Sequence, residues 1–556
     1  METHSTPREG TTRPGRIRQQ LRWWRFALAG LVSAALLFGV AELVAAFFST
    51  TSSPLVALGQ TFIDITPAWL KDFAIGLFGT NDKLALFVSM GIVAALVAAG
   101  TGLLARTRPA AASGVIVLLG VGMSASVLSR PASGVLDIVP TVVGTIAGIL
   151  ALRYLAHLAA TATATATVTG DATVTGDPDS PAADGRVTGG PVATGRTVAP
   201  SSRRGFLLGS LVGAVGAAAL LAGGRALSAI RNTAETTREA LKLPSPVKQA
   251  KPLPQGVASD VKGMPAFVTP NSQFYRIDTA LAVPRVDPAS WSLRVHGMVD
   301  EEFTIGFDEL LGMDLEETWL TLTCVSNPVG GDLVGNAKWL GYPLRKVLER
   351  ARPQAGADMV LSTSIDGFSA STPLEVLTDE RNALLAVGMN GEPLPLEHGY
   401  PVRMVVPGLY GYVSATKWVV DLEVTRFADK TGYWTTRGWS DHGPIKLSSR
   451  VDVPRPFATV APGTVMLGGT AWAQTTGIKA VEVKIDDGDW QAADLAAEAT
   501  VDTWRQWSYA WKNAQPGTHS ATVRAIDAEG TVQTAERANP APNGSSGLQR
   551  LQFTVG

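Results

Sequence analysis

The sequence predicts a multidomain chain: an N-terminal five-helix α transmembrane bundle, a mixed α+β domain, and a C-terminal β-sandwich. Three observations predict it. Long apolar runs without charges crowd the first 225 residues. A low-complexity stretch rich in Thr, Ala, Gly and Asp, Thr161 to Pro200, interrupts them. After them, apolar residues recur with the period of two that marks strands. A prior of about 150 residues per domain allows three or four units.

The helical part comes first. Arg13, Arg16, Arg18, Arg22 and Arg25 precede the run Phe26 to Phe48, which at about 1.5 Å per residue spans a hydrocarbon layer. Further runs cover Leu84 to Ala105, Ala111 to Leu128 and Val135 to Leu155. Four in succession argue against buried core helices. Pro54 to Gly79 carries Asp64, Lys71 and Asp72, and reads as a helix on the membrane surface or in the external loop. Basic residues set the orientation: the N-terminal cluster, Arg106, Arg108 and Arg153 belong inside, and only Arg130 falls on the wrong side. The Thr161 to Pro200 stretch cannot bury a core and reads as a cytoplasmic linker.

The linker ends in Ser202-Arg203-Arg204-Gly205-Phe206-Leu207, followed by a mildly apolar run to Gly223. The hexapeptide resembles a twin-arginine translocation signal, which implies export of an already folded, cofactor-loaded domain by that machinery. No clean A-x-A cleavage site follows, so the run is expected to stay as a fifth span. Five spans starting inside place everything after Arg225 outside.

The net charge of −1 gives no electrostatic case for nucleic acid. The single cysteine, Cys324, rules out an intramolecular disulfide framework, and the six histidines show no zinc-like spacing. Cys324 shares one face of the strand Trp319 to Val325 with Leu320 and Leu322. That pattern alone describes a small core residue. The strand stops, however, in Val325-Ser326-Asn327-Pro328-Val329-Gly330-Gly331, which is turn chemistry. A thiol at a strand end beside a glycine-rich loop can reach a bound group, and a thiolate is a soft metal ligand.

Three blocks carry a specific resemblance. They are T-P-N-S-Q-F-Y, Thr269 to Tyr275; T-L-T-C-V-S-N-P-V-G-G-D-L-V-G-N-A-K-W-L-G-Y-P-L, Thr321 to Leu344; and H-G-Y-P-V-R-M-V-V-P-G-L-Y-G-Y-V-S-A-T-K-W-V, His398 to Val419. Together, over roughly Gly263 to Arg426, they resemble the molybdopterin domain of the sulfite oxidase superfamily. The resemblance implies an α+β sulfite-oxidase-type fold and a mononuclear molybdenum cofactor. It makes Cys324 the catalytic residue and the only protein ligand to the metal. It assigns Asn271, Tyr275, His398, Arg403 and Lys417 to cofactor binding. Arg and Lys suit a phosphate on their own chemistry, and His398 can donate a hydrogen bond. Asp366 either lies near the mouth of the site or is an ordinary turn aspartate.

One departure bears on substrate. Sulfite oxidases proper carry arginines shortly after the cysteine, where this chain has Pro328 and Val329. A hydrogen bond to a charged group is worth about 1.5–3 kcal/mol, so an anion bound without those arginines forgoes that much for each. The expectation is therefore oxygen-atom transfer on a sulfoxide-type substrate, as in the extracytoplasmic methionine sulfoxide reductase branch. The alternative is a non-catalytic membrane protein using the fold for binding or assembly. With one Cys there is no C-x-x-C-H, and the five runs hold no paired His. No haem is expected, and electrons would come from an unidentified protein partner or a quinone.

The last region alternates Val481, Val483 and Ile485 with Glu482 and Lys484, then turns through Asp486-Asp487-Gly488-Asp489. Trp507, Tyr509 and Trp511 alternate too, as do Leu551, Phe553 and Val555, and read as core rather than a binding stripe. The region resembles the immunoglobulin-like C-terminal domain of sulfite oxidase relatives, which implies a possible homodimer. The expected boundaries are 1–158 for four spans with the extracytoplasmic helix, 159–202 for the linker, and 203–225 for the fifth span. An extracytoplasmic tether then covers 226–262, the molybdopterin domain 263–448 and the sandwich 449–556. The implied setting is a bacterial cytoplasmic membrane, with lipid around the spans.

Overall fold

The structure is a computed structural model describing residues 23–48, 52–67, 82–130, 133–168, 203–230 and 233–556. The arginines from Arg13 to Arg22, the end of the proposed loop helix, most of the linker and Ser202 lie outside the described residues. The chain forms two compact units, Met1–Arg231 and Asn232–Gly556.

The first unit is helical. Its principal helices are α1 (Trp23–Ala45), α2 (Pro54–Ile65), α3 (Asp82–Ala105), α4 (Pro109–Leu128), α5 (Val139–Val168) and α6 (Arg203–Ile230). All but α2 belong to five stretches long and apolar enough to cross a membrane. The fourth helix of these five runs on through Val168, so the first linker residues are helical rather than disordered. Helix α1 sits against α3, α5 and α6. Small residues permit this: a Cβ on Gly30 would strike the Ala98 carbonyl, and one on Gly102 the Phe26 carbonyl. Arg130, unexplained by the basic-residue pattern, is buried and donates from Nη2 to Thr61 Oγ1 at 2.7 Å, on α2. The twin arginines open α6.

The second unit opens with α7 (Thr233–Ala240) and an extended segment. Residues 226–230 continue α6, and residues 233–262 are no free tether. The Val247 amide donates to the Leu315 carbonyl at 2.8 Å and the Glu317 amide to the Lys248 carbonyl at 2.8 Å. Arg238 Nε donates to the Leu394 carbonyl at 2.9 Å. The backbone groups at the edge of the neighbouring strand need partners, and this segment supplies them.

Two sheets build the α+β part. One orders as β2 (Phe303–Gly306), β1 (Ser292–Gly297), β10 (Val419–Thr425), β5 (Met359–Ser364), β6 (Ser369–Pro373). The other orders as β3 (Glu316–Thr323), β4 (Val334–Pro343), β7 (Leu384–Met389), β8 (Glu392–Pro393), with β9 (Arg403–Val405) also on β7. Strand β3 runs antiparallel to β4 with Leu322 opposite Gly335, and Leu320 and Leu322 are buried as the alternation predicts.

The C-terminal part is a β-sandwich. One sheet holds β11 (Ser448–Val453), β13 (Gly463–Trp472), β17 (Arg505–Ala514) and β16 (Asp494–Leu495). The other holds β12 (Thr459–Val460), β19 (Gln549–Val555), β18 (Gly517–Asp527), β14 (Ile478–Ile485) and β15 (Gln491–Ala492). Both contribute to one core, where Trp507, Val481, Val483 and Phe553 are almost fully buried. The Trp507, Tyr509, Trp511 stripe is therefore core, with the latter two partly buried against it.

Candidate functional site

Strand β3 ends at Thr323, and the chain turns at Cys324, whose carbonyl accepts from the Asn327 amide at 3.1 Å. Cys324 and Leu322 both line one pocket. Tyr275, His398, Arg403, Lys417 and Asp366 line the same pocket. Residues more than a hundred positions apart meet there because β3, β9 and the start of β10 end beside one another.

Arg403 lies on β9 and is buried. Its guanidinium donates to the carbonyls of His398 at 3.0 Å, Met404 at 3.3 Å and Ala415 at 3.3 Å, and lies 5.2 Å from the Trp339 ring. Among the described residues no carboxylate pairs with it. Burial pushes it down to about 10. A buried cation satisfied only by neutral carbonyls lacks a countercharge, and an anionic ligand supplies one.

Lys417 is paired. Its Nζ donates to Asp278 Oδ2 at 2.7 Å and to the Glu397 carbonyl at 3.0 Å. Burial pushes Lys417 down to about 8 against the pull of Asp278, helped by repulsion from Arg403 and Arg276. At Asp278 the balance reverses: burial raises the carboxyl, but Lys417 and Arg276 hold it at about 2. The two shifts describe one site that carries more positive than negative charge. Trp418 follows Lys417 with φ +51, a left-handed conformation that a non-glycine residue holds at a cost of about 1–3 kcal/mol. Its Nε1 donates to the Leu396 carbonyl at 3.0 Å, and the Lys417 ammonium lies 4.6 Å from its ring.

His398 is held by its neighbours. Burial and the Arg403 charge push it down to about 4, so the ring is neutral near pH 7. Nε2 lies 3.0 Å from the Asn271 carbonyl, which only a donor can satisfy. Nδ1 is then an acceptor, so His398 serves the pocket as an acceptor rather than the expected donor. Asn271 is not among the residues lining the pocket. Its Nδ2 donates to Glu392 Oε1 at 2.5 Å and the Met389 carbonyl at 3.3 Å, and its Oδ1 accepts from Asn390 at 2.8 Å. Its carboxamide is thus held by Glu392, Met389 and Asn390. Its contribution is the carbonyl that orients His398. Tyr275 lines the pocket stacked on Phe274 at 5.3 Å, and burial raises its phenol, so it stays protonated.

Burial also raises the Cys324 thiol, while the amide and hydroxyl of Ser326 pull the other way. Pro328 and Val329 do not line this pocket. They line a second one of about 350 Å³ with Ser448, Ser449 and Ser545 of the sandwich. The cause is a second turn, in which the Gly331 amide donates to the Pro328 carbonyl at 2.8 Å and carries 328–329 away from the thiol. The Cys324 pocket is instead lined by Ile277, Phe368, Tyr412, Trp434 and Trp439. Trp439 packs against Tyr412 at 5.9 Å and Trp434 at 6.2 Å. Sequence reasoning missed these aromatics and Asp278. The cluster Tyr433-Trp434…Trp439 was the signal that could have found the aromatics.

One soft ligand, an uncompensated buried cation, a paired lysine and a neutral imidazole fit a metal that arrives with its own organic, phosphate-bearing ligand. Among the described residues no group of three or more His, Cys, Asp or Glu converges to hold a bare ion. The site and fold define a mononuclear molybdopterin-binding domain. Related sequences point the same way. Residues 280–434 match the oxidoreductase molybdopterin binding domain family. Sulfite oxidase of Gallus gallus is 29% identical over 316 residues, 48% of this chain and 68% of that one. The uncharacterized oxidoreductase YuiH of Bacillus subtilis is 31% identical over 157 residues, 28% of this chain and 76% of that one. The sulfane dehydrogenase SoxCD of Paracoccus pantotrophus shares 20% identity at a TM-score of 0.46, covering 55% of this chain and 90% of that one. The chain spans about half the length of the mouse and human sulfite oxidases it matches. The chain belongs to the sulfite oxidase superfamily of molybdenum oxidoreductases.

Proposed function

We propose that this protein is a membrane-anchored oxidoreductase acting outside the cytoplasm, by oxygen-atom transfer on a sulfoxide-type substrate rather than sulfite. The observation that carries the substrate class is the aromatic share of the Cys324 pocket lining, Phe368, Tyr412, Trp434 and Trp439, with Ile277 beside them. Aromatic faces suit a neutral, polarizable sulfur group. A sulfite dianion would meet these rings and the Asp366 carboxyl, while the pocket's cations would be taken up by the cofactor. Cys324 would ligate the metal, and Arg403 and Lys417 would hold the cofactor's phosphate. His398 would accept from the pterin edge, and Tyr275 would offer its protonated phenol. When bound, the molybdenum cofactor supplies a site that takes or gives an oxygen atom with two electrons.

The positive-inside arginines and the twin-arginine-like hexapeptide at the start of α6 support an N-terminus in the cytoplasm of a bacterial cell and Asn232–Gly556 outside. Export as a folded, loaded domain through the twin-arginine machinery follows from that motif. Electrons would be exchanged with a protein partner or a quinone.

The test uses the purified full chain. Molybdenum and pterin fluorescence near one per chain, with reduction of methyl sulfoxides by an artificial one-electron donor, is the expected result. Turnover of sulfite at ordinary enzymatic rates without sulfoxide reduction would refute the substrate class. Absence of molybdenum from a correctly exported chain would favour a non-catalytic binding role.

A further inference from the structure

The loop carrying Cys324 is fixed from the sandwich. Within it, the Asn327 amide closes one turn on the Cys324 carbonyl at 3.1 Å, and the Gly331 amide closes a second on Pro328 at 2.8 Å. From the sandwich, Ser545 Oγ donates to the Asn327 carbonyl at 2.7 Å. Arg450 Nη1 donates to the Gly331 carbonyl at 2.8 Å. Gln549 covers Gly330, where φ is +79 and a Cβ would lie 2.6 Å from the Gln549 side chain. The strand leading into the loop is pinned as well: the Trp504 amide donates to Thr321 Oγ1 at 2.8 Å, and Gln474 Nε2 to the Thr321 carbonyl at 2.9 Å.

We infer that Ser545 and Arg450 are positioning residues for Cys324, holding its loop so that the sulfur keeps its place against the metal it binds. This rests on the reading of Cys324 as the metal ligand. The placement of a metal-bound thiolate sets how much charge it donates, and so the reduction potential. Releasing the Asn327 or Gly331 carbonyl loosens the turns and shifts the potential.

The experiment follows the paramagnetic signal of the metal, and its potential, by electron paramagnetic resonance titration of the loaded full chain. Ser545→Ala is expected to melt close to the parent yet shift both the potential and the signal. Ser545→Thr, which keeps a hydroxyl, returns both to parental values. Arg450→Gln moves the potential in the same direction. Val481→Ala truncates the sandwich core away from the loop, so it lowers the melting temperature and leaves the signal in place. Loss of metal from folded Ser545→Ala also supports the inference. Parental signals in both Ser545→Ala and Arg450→Gln overturn it, as does an equal shift in Val481→Ala. Cys324→Ser is the separate control: a parental signal there would remove the ligand assignment itself.

Discussion

Replacing Asp278 with Asn removes the only carboxylate among the described residues that reaches the Lys417 ammonium, while keeping the shape of the side chain. The two groups lie 2.7 Å apart with side-chain exposures of 9% for Lys417 and 4% for Asp278. At an effective dielectric of about 20, their attraction is about 6 kcal/mol. The amide recovers some of it, and breaking a buried pair costs about 3–5 kcal/mol net. For a unit of this size, about 2 °C per kcal/mol gives a fall of about 6–10 °C in melting temperature. The assay is thermal unfolding of the cofactor-free full chain in detergent across pH. The sign follows from Lys417, held at about 8 in the folded chain against 10.5 ordinarily. Without Asp278 it falls further. Between the folded and unfolded values the unfolded chain binds more protons, so stability rises with pH there. The deficit of Asp278→Asn should therefore be largest in the weakly acid range above about pH 4; it shrinks at higher pH as the amine becomes neutral, and at lower pH as the parent's Asp278, held at about 2 against 3.8 ordinarily, takes up a proton. Adding Lys417→Met removes the orphaned charge and should recover most of the loss. A single variant within about 2 °C of the parent, or a double variant that loses the sum of both, would refute the reasoning.

Three further outcomes are expected. Cys324→Ala should lose molybdenum and turnover while costing about 1 kcal/mol of stability, checked by metal analysis beside a melting curve. Arg403→Met should lower cofactor content, with one hydrogen bond to a charged group worth about 1.5–3 kcal/mol; Arg403→Lys should not restore it, because an ammonium cannot reach three carbonyls and an anion from one plane. His398 is depressed from 6.5 to about 4, so its share of stability is present above about pH 6.5 and is lost as pH falls toward 4. His398→Gln should flatten that acid limb by up to about 3 kcal/mol, read from denaturant midpoints between pH 4 and 7.

The parts of the fold that alternate cleanly were open to sequence reasoning. Leu320 and Leu322 gave the strand, Val481 and Val483 the sandwich, and the apolar runs the five long helices. Cys324 stood out because turn residues follow it. What escaped was decided by tertiary partners. Asn271 has a side chain suited to a pterin edge, but Glu392 and Asn390 come from elsewhere in the chain to occupy it. Pro328 and Val329 were read by their distance in sequence from Cys324, and an intervening turn sends them the other way. Asp278 follows Arg276 in a polar stretch that reads as surface, and only Lys417, 139 positions on, makes it a buried countercharge. Residues 233–262 lack strand periodicity, yet their backbone groups complete a sheet edge.

Cys324 is the chain's single thiol, and it lines the pocket with 8% of its surface exposed. The protein thus carries a built-in reporter at its most informative atom. A thiol-reactive dye has one place to go, so a labelling time course measures access to that atom with no background to subtract and no cysteine to engineer away. A substrate or metal seated over it should slow the labelling, and the slowing read against concentration would give an affinity before any turnover assay exists. The same solitude constrains damage: with no second thiol in the chain to trap a sulfenic acid, oxidation there must be rescued by an outside thiol or proceed to an irreversible acid.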